Sequence, residues 1–143
     1  MANQWSPSML LLIQLEIVHH LSAKSGTHVR FWREKWFGHA LEELRPAGPK
    51  RVEGFKDAKA RLDKLSTMLN KSGEGNLWVM GGNEPSFADF VLGSHLWFWR
   101  LLLAKEEWDD VKTWHGGRWA RVVEALNKWE NGTGDESEIW TPA

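Results

Sequence analysis

An all-α helical bundle is the fold class that this sequence predicts, and three observations predict it. Five segments carry apolar residues at helical spacing, and none alternates apolar with polar residues as a half-buried strand does. Serine, proline and glycine stand where helices begin and end. The third observation is the run PSFADFVLGSHLWFWRLLL, Pro85 to Leu103, which is apolar on every side, the pattern of a buried central helix.

The first helix is expected over Pro7 to Leu21, with Ser6 placed to cap it and Pro7 at the first helical position, where a missing N–H costs nothing. A second runs from Thr27 to Phe37, putting Val29, Trp32 and Trp36 on one face before Gly38 stops it. The short HALEEL segment and the turn RPAGP follow. The third helix, Pro49 to Asn70, carries an apolar stripe of Val52, Phe55, Leu62, Leu65 and Leu69 with Lys and Arg on its outer face. Lys71 to Asn76 is a loop, and LWVMGGNEP leads in extended form into the fourth helix, which reaches Ala104. The fifth runs from Gly117 to Trp129, with Trp119, Val122, Val123 and Leu126 on one face. Residues 1–130 thus form one domain, and 131–143, NGTGDESEIWTPA, a loosely held polar tail.

At the start of the fourth helix, Ser86 and Asp89 have the spacing of a capping box. The serine hydroxyl accepts from the N–H three residues on, and the carboxylate there reaches back to the serine N–H. Phe90 is placed to pack against Pro85. With no second acid or histidine in its helical reach, Asp89 reads as structural rather than catalytic.

Lys and Arg number 18 against 19 Asp and Glu, an ordinary balance that argues against nucleic acid or an anionic membrane as the main partner. The absence of cysteine excludes disulfides, thiolate metal sites and a cysteine nucleophile, and fits a cytoplasmic, reducing compartment. Neither a signal peptide nor a membrane span is legible at the N-terminus. The 11 Trp and 6 Phe, with no Tyr, suit a thick core or a ligand cavity.

Three clusters invite a functional reading. Arg30, Trp32, Arg33 and Trp36 could form a stacking platform, although inward tryptophans with Arg30 and Arg33 paired to acids is the favoured reading. Glu16, His19 and His20 give one Glu-x-x-His match, where a bundle di-iron site needs two and further glutamates, so no metal is expected. Gly116-Gly117-Arg118-Trp119 lacks the P-loop lysine pattern and reads as a tight turn, with Trp119 a core anchor and Arg118 a surface ion pair.

The segments HVRFWREKWFGHALEEL, WVMGGNEPSFADFVLGSHLWFW and EEWDDVKTWHGGRWARVVEALNKWE resemble the C-terminal helical domain of cytosolic glutathione transferases, and within them the fungal etherase-like, UstS-like group. The similarity covers His28 to Glu130; Trp129 stands where that group usually has tyrosine. The resemblance implies a two-domain enzyme, in which an N-terminal thioredoxin-like domain binds glutathione and activates its thiol while the helical half walls the site of an apolar co-substrate. No βαβ pattern of such a domain is present here, so the expectation is a thioredoxin-like domain absent from this chain, no cofactor bound by it, and glutathione implied for the complete enzyme.

On this reading the partner is an apolar aromatic small molecule, and the surface facing the missing half is left for a thioredoxin-like domain or self-association. A stand-alone carrier of apolar molecules and an assembly module are the alternatives. The first helix has apolar residues on more than one face, and in the family part of that surface lines the cleft. The resemblance therefore nominates Met9, Leu12, Ile13 and Glu16 as ligand contacts, with Trp97 behind them.

Overall fold

The computed structural model describes residues 7–71, 73 and 75–130, so Ser6 as a cap and the tail 131–143 lie outside the described residues. Seven helices follow in order: α1 (Pro7–Leu11), α2 (Gln14–His20), α3 (Ala23–Phe37), α4 (Leu41–Leu44), α5 (Pro49–Asn70), α6 (Phe87–Leu102) and α7 (Lys105–Glu130). No strand occurs among the described residues, in keeping with the all-α expectation.

The single helix expected over Pro7 to Leu21 is two helices. Ile13 leaves helical geometry at φ −123°, ψ −3°, and its N–H donates three residues back, to Leu10 O. Leu12 and Ile13 are both buried. Arg51 Nη1 on α5 donates to Leu12 O at 3.3 Å, which partners a carbonyl at the break. α1 lies so close to α5 that a Cβ on Gly54 would sit 3.1 Å from Leu12 Cδ2.

α3 starts at Ala23, four residues before the expected Thr27, because Ser22 caps it by accepting from Ser25 N–H. Gly38 ends it as expected, left-handed at φ 73°. α3 packs chiefly on α2 and α4 and not deep in the bundle. Trp32 and Trp36 therefore do not pack inward: both are exposed, Trp36 by 71%, and Arg33 stacks on Trp36 at 5.7 Å. Arg30 does pair with acids, reaching Glu34 at 2.9 Å and Glu42 at 2.8 Å.

α6 begins with the capping box. Asp89 is fully buried, and its Oδ2 accepts from Ser86 N–H at 2.8 Å and from Ser86 Oγ at 2.7 Å. Leu92, Leu96, Trp99 and Leu102 face the core. The opposite face is not covered: Phe87, Val91, Phe98 and Leu101 are exposed, so α6 is central on one side only. Phe90 meets Trp129 edge to face at 5.6 Å.

α7 starts twelve residues before the expected Gly117, and it is broken. Trp114 is extended, and His115, Gly116 and Gly117 follow at φ 53°, 66° and 75°. Two glycines bear most of this left-handed turn without a Cβ penalty. His115 is the one non-glycine residue at positive φ among those described. The arms at 105–113 and 118–130 can thus both press on the core, through Val111 and Trp114 before the turn and Trp119, Val122 and Val123 after it. Trp119 is fully buried, as a core anchor should be.

Candidate functional site

The structure separates the nominated ligand contacts. Met9, Leu12 and Ile13 are buried in the core cluster that α1 shares with α5 and α6, and none lines the grooves described below. Glu16 is half-buried beside them, its carboxylate 3.1 Å from Arg45 Nη2 and 3.6 Å from His19 Nδ1. His19 is largely exposed, and His20 Nδ1 lies 2.9 Å from Glu16 O. Among the described residues, no three His, Asp or Glu side chains converge as metal ligands.

Trp97 stands elsewhere, in a groove of about 290 Å³ between α6 and the second arm of α7. Phe90, Gly93 and Ser94 share its α6 wall, while Val123, Leu126 and Trp129 form the other. The helices approach closely here: a Cβ on Gly93 would lie 2.1 Å from Leu126 Cδ1, so the absent side chain is what lets Leu126 seat. Ser94 turns its hydroxyl back to Val91 O at 2.8 Å. The lining therefore offers flat aromatic and aliphatic surface, suited to holding an apolar ring, and no side chain equipped to take a proton. Phe90, Leu126 and Trp129 were not nominated from sequence. Their signal was the i, i+3 pair Leu126 and Trp129 beside the central helix.

The GGRW segment is a tight turn with Trp119 anchored in the core, as expected, and it departs from the expectation at Arg118. Arg118 is no surface ion pair: it is 5% exposed. Its Nη1 donates to Ser66 O and Oγ at 2.9 and 2.8 Å, and its Nη2 donates to Asn70 Oδ1 at 2.6 Å and Asn76 O at 3.3 Å. All four acceptors are neutral, and burial pushes the guanidinium below its ordinary pKa. The charge sits at the C-terminal end of α5, where the helix dipole is negative. Next to it, Trp119 Nε1 donates to His115 Nδ1 at 2.7 Å, and His115 Nε2 faces Asp63 Oδ1 at 3.5 Å. Burial lowers the His115 pKa despite the nearby Asp63 carboxylate.

No helix among the described residues is long and apolar enough to cross a membrane. No curated protein matches the chain. Among solved structures, a glutathione S-transferase of Ceriporiopsis subvermispora, crystallised with glutathione, is 26% identical with a TM-score of 0.77 over 85% of this chain and 50% of its own. Glutathione transferase GSTFuA2 of Phanerochaete chrysosporium is 27% identical with a TM-score of 0.75, over 86% of this chain and 48% of its own. A second Ceriporiopsis subvermispora transferase, 22% identical, shares the fold at a TM-score of 0.78 over 95% of this chain and 52% of its own. The chain thus spans about half the length of the structures it matches. The family model described as glutathione S-transferase, C-terminal domain, matches residues 1–129, and the chain belongs to that family.

Proposed function

We propose that this chain is the apolar-ligand-binding half of a glutathione transferase, active in glutathione conjugation or in ether or thioether cleavage only when joined to a thioredoxin-like, glutathione-binding domain. The observation that carries the reading is the α6–α7 groove around Trp97, an apolar, aromatic-walled cleft in a chain of this family. Thiol activation needs a base or a donor aimed at sulfur, and the lining holds neither. The glutathione held by the Ceriporiopsis subvermispora relative supports glutathione as the second reactant of the joined enzyme. Similarity of the three quoted segments supports the etherase-like, UstS-like group as the finer placement.

The test is an assay of conjugation to an electrophilic nitroarene, with the chain alone and fused to a thioredoxin-like domain of the same family. The expected result is no rate above background alone, and a rate in the fusion whose KM for the arene rises with Trp97→Ala. Conjugation by the isolated chain, or a fusion indifferent to Trp97, overturns the reading.

A specific observation favours an assembly role as a second reading. Phe87, Val91, Phe98 and Leu101 leave an apolar face on α6, with Phe87 83% exposed. A molar mass that rises with concentration in light scattering would favour self-association through this face, and a constant monomer mass would oppose it.

A further inference from the structure

A second and larger groove, of about 530 Å³, runs between the N-terminal half of α5 and the first arm of α7. Its base is aromatic: Phe55 meets both Trp99 and Trp114 edge to face at 6.4 Å, and the exposed Val52 extends that surface outward. The two walls carry opposite charge. α5 presents Arg51, Lys56 and Lys59, and α7 presents Glu106, Glu107 and Asp110.

These six charges are unequally committed. Arg51 grips Glu107 through Nε and Nη2, the latter at 2.8 Å from Oε2, and this bidentate pair raises the arginine pKa and lowers that of the glutamate. Asp110 accepts from Trp114 Nε1 at 3.0 Å. Glu106 lies in the first turn of α7, where the positive end of the helix favours it. Lys56 and Lys59 have no carboxylate partner among the described residues, and Lys59 Nζ stands over the Trp114 ring at 5.6 Å. The cations without a carboxylate partner are therefore on the α5 side, exposed to solvent beside Val52 and the partly buried Phe55.

We propose that this groove is a binding site for an aromatic carboxylate, with its ring on Val52 and Phe55 and its carboxylate between Lys56 and Lys59. The acidic α7 wall fixes the orientation, because a carboxylate turned the other way meets Glu106 and Asp110. The site is distinct from the Trp97 groove and shares no lining residue with it.

Calorimetric titration of the full chain with 2-naphthoate and with its uncharged analogue 2-naphthamide tests the site. The acid is expected to bind about tenfold more tightly than the amide, the effect of two partly exposed ion pairs. The double variant Lys56→Gln, Lys59→Gln should remove that preference, and Trp97→Ala should leave it intact. Equal binding of acid and amide overturns the proposal. So does a preference that survives the double variant, one that Trp97→Ala abolishes, or the absence of naphthoate binding.

Discussion

Asp89 Oδ1 accepts a hydrogen bond from the Val79 backbone N–H at 2.7 Å, so the carboxylate that caps α6 also ties down the loop ahead of it. One oxygen serves the helix start through Ser86, and the other serves a segment ten residues upstream. Removal of the side chain takes the acceptor from two half-buried N–H donors, those of Val79 and Ser86. Asp89→Ala is expected to cost about 3 kcal/mol, the sum of a lost cap and a lost buried acceptor. That is a fall in Tm on the order of 10 °C for a chain of this size. Asp89→Asn should fall between, since its carbonyl still serves Val79 while its amide faces the Ser86 N–H as a second donor. Thermal melts of both variants check this, and an unchanged Asp89→Ala melt contradicts it.

Arg118→Lys keeps the charge and loses the fork. A single ammonium cannot reproduce the spread of bonds to Ser66, Asn70 and Asn76. A loss of about 2 kcal/mol is expected, read as a lower urea midpoint with an unchanged slope. A variant as stable as the parent would show that charge at the end of α5, and not fork geometry, is what matters.

His115 makes stability depend on pH, and the sign follows from its lowered pKa. Its folded-state value lies below the ordinary 6.5, so between the two the unfolded chain binds a proton that the folded chain excludes. Stability is complete above about 6.5 and declines as pH falls toward the folded-state value. Protonation would also turn Nδ1 from an acceptor into a donor facing the Trp119 N–H. The expected outcome is a Tm that drops between pH 7 and pH 5, with a smaller drop in His115→Asn, a residue that tolerates the left-handed conformation. An identical pH slope in the two proteins would remove His115 as its source.

Much of this fold was legible in the sequence. Pro49 and the leucine stripe mark α5, Ser86 and Asp89 mark the start of α6, and Gly38 ends α3, because each of these signals is local. What was missed depends on distant partners. The first arm of α7, KEEWDDVKT, shows Trp108 and Val111 among charged residues, too sparse a stripe to announce a helix. Arg118 is buried because Ser66 and Asn70, 52 and 48 residues away, supply its acceptors, and no local pattern holds that information. Periodicity identifies the apolar residues of α3 and α6 without saying what covers them, so Trp36 on α3 and, within the run read as a buried central helix, Val91 and Phe98 were expected inside and lie outside. For the candidate site, the excess of apolar residues on the first helix is explained by the break at Leu12 and Ile13, which turns both inward.

Gly93→Ala tests the α6–α7 approach. The new methyl would drive Leu126 off its seat and into the groove. Overpacking of this kind costs about 1–3 kcal/mol. Leu126→Ala in the same chain should recover at least about 1 kcal/mol of that loss relative to additivity. Urea denaturation of the two single variants and the double variant measures the coupling, and strict additivity would contradict the contact.

The measurement closest to the central claim is a titration of intrinsic tryptophan fluorescence with an uncharged, apolar arene such as naphthalene, in the parent chain and in Trp97→Ala. A saturating change in the parent, weakened about tenfold or more in the variant and unaffected by glutathione, is the predicted result for loss of an aromatic wall. An unchanged spectrum in the parent, or equal affinity in the two proteins, would contradict the α6–α7 groove as the ligand site.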